Sequence, residues 1–157
     1  MTIPEYRCVV LREQPLTLFD CTMATPENAF EFFRNNIKDS VRFTPGVENF
    51  CVIHVNIRRR VTGWHVVSTG TLDTLLIHPR EVFRSAIVAG ASAILLLHNH
   101  PSGDPGPSEA DIRMTRDLIR AGQLLKIEVL DHLVAGDFLL PGREKQYCSL
   151  RELGLFT

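Results

Sequence analysis

No run of apolar residues in this chain approaches the roughly 20 that cross a bilayer; the longest, residues 93–97, stops at five. No membrane span is expected. The opening residues, MTIPEYRCVVLRE, carry charge along their length and lack the apolar run and small-residue cleavage site of a secretory signal, so the expected location is the cytoplasm. Cysteine is sparse. Cys8, Cys21, Cys51 and Cys148 offer neither a CxxC nor a zinc-ribbon spacing, which sets aside a thiol redox motif and a cysteine-ligated metal and leaves mostly buried free thiols. An excess of one charge is also missing. With 17 Lys and Arg against 18 Asp and Glu, the net charge is −1, and the basic footprint of a nucleic-acid binder is absent. Internal repeats and low-complexity segments are lacking too.

What is present is enough for one core. A chain of 157 residues suits one compact domain and is short for two, so residues 1–157 are read as one unit. Residues 6–12 read as a first strand. Thr25-Pro26 opens a helix, Thr as N-cap and Pro in the first turn, expected to run to about Asn36. Residues 48–57 (ENFCVIHVNI) are apolar and β-branched enough for a largely buried strand. A turn over residues 58–63 then returns the chain into a partner strand over residues 64–69. His78-Pro79 starts a second helix ending at Gly90, and residues 93–97 form a short central strand leading into His98. Residues 101–107 are a loop by composition. Ser108-x-x-Asp111 is a helix start, and that helix is expected to run to Ala121 and stop at Gly122. Residues 125–135 read as a further strand. Strands and helices mixed around a hairpin predict an α/β sandwich with a mixed sheet, not a doubly wound parallel one.

The chemistry lies at the end of the central strand. His98 and His100 are two residues apart, so the period of a strand sends both imidazoles to one face. Ten residues separate His100 from Asp111, and the turn formers among them can fold Asp111 back beside the histidines. Two histidines and a carboxylate make a zinc site with the fourth position left to water, although other divalent ions also accept these donors. Zinc lowers the pKa of bound water from about 15.7 to about 7, and a nearby carboxylate would serve as base.

These residues resemble a known family. His98-Asn99-His100-Pro101, the ten-residue gap to Asp111 and Ser108 three residues before it resemble the JAMM metalloprotease motif. The longer run HNHPSGDPGPSEAD is similar to the RadC-like branch of that class, as are Glu48-x-Phe50, His78-Pro79-Arg80-Glu81-Val82, Leu130-Asp131-His132 and Tyr147-x-Ser149. The resemblance covers about residues 20–155, leaving residues 1–20 as an N-terminal strand and extension. It implies the JAB/MPN fold, a cytidine-deaminase-like three-layer sandwich with a mixed β-sheet flanked by helices. It also implies zinc (Zn2+) ligands at His98, His100 and Asp111, a general base at Glu48, an oxyanion-stabilising hydroxyl at Ser108, and a peptidase or isopeptidase acting on a peptide or protein substrate. Glu81 competes with Glu48 as the base, and Ser108 also reads as a plain N-cap.

Other readings stand beside this one. The alternative function is that of a RadC-type accessory protein of DNA repair or DNA metabolism, binding nucleic acid or repair partners. The charge balance does not support it, and the helix-hairpin-helix segment that precedes this domain in longer RadC proteins is not seen in this sequence. A metal-free partner-binding scaffold has no need of the full ligand set. By strand alternation Asn99 points away from the metal and holds backbone. His132, after Asp131, is read as satisfied within the core, with support of the site as the alternative. His54 and His65, across the hairpin, have no carboxylate in register for a second metal. Arg58-Arg59-Arg60 is read as a soluble turn, and Asp117 is expected to pair with Arg113 on a helix face that Arg116 and Arg120 share.

Overall fold

The computed structural model describes residues 21–70, 77–136 and 145–156; the strand expected over residues 6–12 lies outside the described residues. Thr25 caps α1 (Pro26–Phe32) as its sequence predicts. Its hydroxyl accepts from the Asn28 N–H while the Asn28 side chain accepts from the Thr25 N–H. The helix continues as a π-helical turn over Phe33–Ile37. Then come β1 (Asn49–Val55), β2 (Val61–Thr69), α2 (Pro79–Val88), β3 (Ala93–His100), α3 (Glu109–Leu125), β4 (Glu128–Gly136) and β5 (Tyr147–Ser149). The sheet order is β2-β1-β3-β4-β5. Among the described strands only the β3–β4 pair is parallel, with α3 as the crossover between its strands; β1–β2, β1–β3 and β4–β5 are antiparallel. The sheet is therefore mixed, as expected.

Burial follows from this order. Every residue of β1 is buried, and so is all of β3 up to His100, because these central strands are covered on both faces and read as near-continuous apolar runs. On one face Cys51, Ile53, Leu95, Leu97 and Leu133 pack against Phe30 and Phe33 of the first helical segment. On the other, Phe50, Val52, Ile94 and Leu96 pack against Phe83 of α2 and Leu118 of α3. The result is a three-layer sandwich consistent with the JAB/MPN fold. Tyr147 and Lys145 both donate to the Glu27 carboxylate, and this fastens α1 to the β5 edge. Among the described residues, no helix is long and apolar enough to cross a membrane.

β1 is shorter than its expected 48–57 and β4 starts later than its expected 125, and three further boundaries differ for a local reason. β2 begins at Val61 rather than Trp64, because Asn56 closes the turn early. Its side-chain oxygen accepts from the N–H groups of Arg58 and Arg60, at 2.9 and 3.1 Å, while Arg59 takes the left-handed conformation. β3 runs three residues past Leu97, so both histidines lie within the strand. Gly122 does not end α3. The helix passes through it to Leu125, and Lys126, at φ +58°, forms the left-handed cap. Gly122 is needed for close approach instead: a Cβ there would lie 2.5 Å from the Ile127 carbonyl oxygen. Of the described cysteines, Cys51 is buried and Cys21 and Cys148 are half-buried, all as free thiols. Burial pushes the Cys51 thiol up to about 12.

Candidate metal centre

His98 and His100 project from the same face of β3, and Asp111 reaches them from the first turn of α3. The His98 Nε2 and His100 Nε2 atoms are 3.0 Å apart. Asp111 places Oδ1 at 3.4 Å from His98 Nε2 and Oδ2 at 3.7 Å from His100 Nε2. A tetrahedral zinc with bonds of about 2.0–2.1 Å needs donors roughly 3.3 Å apart, so these three fit one ion. Among the described residues this is the one cluster of three or more His, Cys, Asp or Glu side chains spaced to hold a metal. His98 is fully buried, whereas the His100 side chain keeps 15% exposure, which leaves the centre open to solvent on the His100 side.

Both ligand histidines are tied from behind. The His100 Nδ1 donates to the Asp104 carbonyl at 2.8 Å, within the Ser-, Gly- and Pro-rich loop. His98 Nδ1 lies 2.8 Å from His132 Nε2, and His132 Nδ1 lies 2.6 Å from Thr115 Oγ1. Phe50 stacks on His98 and meets His132 edge-on. Burial pushes His98 down to about 4; the Asp111 carboxylate opposes this shift and His100 adds to it. His132 is pushed well below its ordinary value, again chiefly by burial. Both rings are therefore neutral at pH 7, the form in which imidazole binds metal. His132 is buried with both ring nitrogens bonded, as its core reading has it, and one of those partners is His98. Asp131 faces the other side of the sheet, where Ser149 and the N–H groups of His132 and Arg151 bond it, while His132 stands directly behind a ligand. Thr115 was missed by sequence reasoning; its only signal is its place four residues after Asp111, on the same helix face.

Ser108 is the N-cap of α3 in a reciprocal capping box. Its hydroxyl donates to Asp111 Oδ2 at 2.7 Å and accepts from the Asp111 N–H, and its own N–H donates to the same Oδ2 at 2.7 Å. Asn99 faces away from the ligands and holds backbone. Its oxygen accepts from the Asn49 N–H at 2.9 Å and its amide donates to the Val47 carbonyl at 3.0 Å. Both neighbours of Glu48 are thereby clamped. The β1–β3 register pairs Phe50 with His98; continued by two residues, it sets the half-buried Glu48 across from His100, on the face that carries the ligands. Glu81 accepts from Arg84 Nη2 at 2.9 Å and Arg80 Nε at 3.4 Å. His54 is opposite Gly63, not His65, and bonds Ser85. Asp117 pairs with Arg120, not with Arg113.

With this geometry in place, the motif finds its relatives: residues 23–155 match the RadC-like JAB domain. The chain belongs to that family. Among curated relatives, a UPF0758 protein of Symbiobacterium thermophilum is 42% identical to this RadC-like JAB domain over 147 residues, covering 94% of the chain and 58% of the relative. A UPF0758 protein of Caldanaerobacter subterraneus is 40% identical over 135 residues, covering 86% and 53%. One of Moorella thermoacetica is 51% identical over 108 residues, covering 69% and 44%. The RadC-like JAB domain thus spans about half the length of the relatives it matches.

Proposed function

We propose that this RadC-like JAB domain is a zinc-dependent hydrolase of the JAMM class, cleaving a peptide or isopeptide bond in a peptide or protein substrate. The observation that carries the reading is the convergence of two histidine nitrogens and one carboxylate on a point with one side open. His98, His100 and Asp111 would hold the ion. Zinc, when bound, supplies an acidified water and a Lewis acid for the scissile carbonyl.

Glu48 is the base in this reading. Its carboxylate would take a proton and pass it to the leaving amine nitrogen. Support comes from the strand register and from the Asn99 clamp on residues 47 and 49. Glu81 is the weaker candidate, since its carboxylate already accepts from two arginines. The Ser108 hydroxyl would turn from Asp111 to the oxyanion, and Asp111 would keep the Ser108 N–H as donor. DNA metabolism has no comparable observation behind it; salt-dependent affinity of this chain for DNA would favour that role instead.

Elemental analysis of the purified protein beside a His98→Ala, His100→Ala variant tests the centre. The expected result is about one zinc per chain, lost in the variant; a wild type that takes up no metal even when zinc is supplied sinks the hydrolase reading. Glu48→Gln is expected to keep its zinc and lose about 10²–10⁴ in the rate of isopeptide cleavage. Wild-type rates in Glu48→Gln would move the base elsewhere.

A further inference from the structure

We propose that Thr115 and His132 form a directional hydrogen-bond relay that sets the tautomer of His98, keeping its metal-facing nitrogen bare before any ion arrives. The proposal deepens the metal-centre reading and rests on it. It assigns positioning roles to two residues that contact none of the reacting atoms.

The direction of the relay follows from donor counting. Thr115 Oγ1 lies 2.6 Å from the Asp111 carbonyl oxygen and 2.6 Å from His132 Nδ1. Two oxygens that close need a hydrogen between them, and a carbonyl has none, so the Thr115 hydroxyl donates to Asp111. The same hydroxyl must then accept from His132, which places the His132 proton on Nδ1. A neutral imidazole has one donor and one acceptor, so His132 Nε2 accepts. Its partner at 2.8 Å, His98 Nδ1, must donate. His98 Nε2 is left as a lone pair aimed at His100 and Asp111.

His100 Nδ1 is a donor by a separate route, because the Asp104 carbonyl can only accept from it. The His98 and His100 Nε2 atoms lie 3.0 Å apart, close enough to share one cation. Bulk water does not reach the relay, since His98, Thr115 and His132 are each 0% exposed. Partners of this kind behind a ligand histidine are worth about 10–100-fold in metal affinity. The relay also begins at the backbone of Asp111, so one hydroxyl ties two of the three ligands together.

The deciding measurement is the ¹⁵N signature of the histidine rings in zinc-free wild-type protein near neutral pH. The expected pattern is a proton on Nδ1 and a bare Nε2 for both His98 and His132, the reverse of the tautomer that dominates for the free side chain in water. A proton on His98 Nε2 overturns the proposal. Zinc titration against a competing chelator supplies the second readout. Thr115→Val should weaken zinc binding about 10–100-fold and Thr115→Ser should restore it, whereas wild-type affinity in Thr115→Val overturns the relay. Should Thr115→Val fail to fold, the wild-type tautomers decide alone. Because they are read without metal or substrate, a failure of the hydrolase reading is seen separately, as a wild type that takes up no zinc.

Discussion

At the scale of the residue, Asn99 shows how much a strand's alternation says and where it stops. The period of two puts His98 and His100 on one face and Asn99 on the other, so its separation from the two histidines was legible in the chain. Its partners were not, because Val47 and Asn49 are about fifty positions away in sequence. Replacing Asn99 with Ala would leave the buried Asn49 N–H without that partner, while the half-buried Val47 carbonyl keeps the Asn49 side-chain amide at 2.9 Å. The expected loss is about 1–3 kcal/mol, measured by urea unfolding of the metal-free protein, with zinc content unchanged. Loss of zinc along with stability would mean that Asn99 supports the ligands and not the Glu48 segment alone. Thr115 lies at the opposite limit of legibility. A threonine inside a helix carries no mark of its own, and only the packing of α3 over β4 brings its hydroxyl to His132.

At the scale of the element, both ends of α3 were announced by local chemistry, but only one was read correctly. Ser108 and Asp111 are three apart, and a capping box needs nothing beyond those two side chains and their own backbone. Gly122 looked like a stop because glycine tolerates the left-handed cap, and Lys126 holds that conformation instead. Here a glycine chosen for close approach imitates one chosen for conformation. Gly122→Ala separates the two. As a helix residue Ala is better than Gly by about 1 kcal/mol, yet its Cβ would meet the Ile127 carbonyl at 2.5 Å and the Phe83 ring at 3.2 Å. The clash should win, with a net loss of about 1–3 kcal/mol in chemical denaturation; a stabilised variant would show that the turn after α3 gives way easily. β3 was underestimated for a related reason. Its apolar run ends at Leu97, but β1 and β4 pair with it on both sides and carry buried His98 and Asn99 into the sheet.

At the scale of the whole molecule, the sandwich buries titratable groups that the unfolded chain exposes, and stability must therefore follow pH. His54 of β1, bonded to Ser85 of α2, is pushed down to about 4, first by burial and then by His65. Unfolded, it titrates near 6.5. Between those values the unfolded chain binds more protons than the native one. Its contribution is complete above about pH 6.5, is lost as pH falls through that window toward 4, and changes no further below it. A shift of this size corresponds to about 3 kcal/mol. In urea unfolding of metal-free protein from pH 7 to pH 4, a His54→Gln variant should lose less stability than wild type. Parallel profiles would mean that His54 accepts its proton within the fold.

The sequence by itself determined the donor set, the helix N-caps and the mixed α/β character, because each depends on residue type at short spacing: His-x-His on a strand, Ser-x-x-Asp at a helix start, apolar runs of strand length. Tertiary structure decided the rest. What stands behind His98, what clamps the residues on either side of Glu48 and where β3 ends are set by contacts between segments tens of residues apart. His98 meets His132 across 34 positions, and their hydrogen bond exists only because β3 and β4 lie side by side. No local pattern encodes that adjacency, since a residue's partner across a parallel pair depends on the register and crossover of the whole sheet.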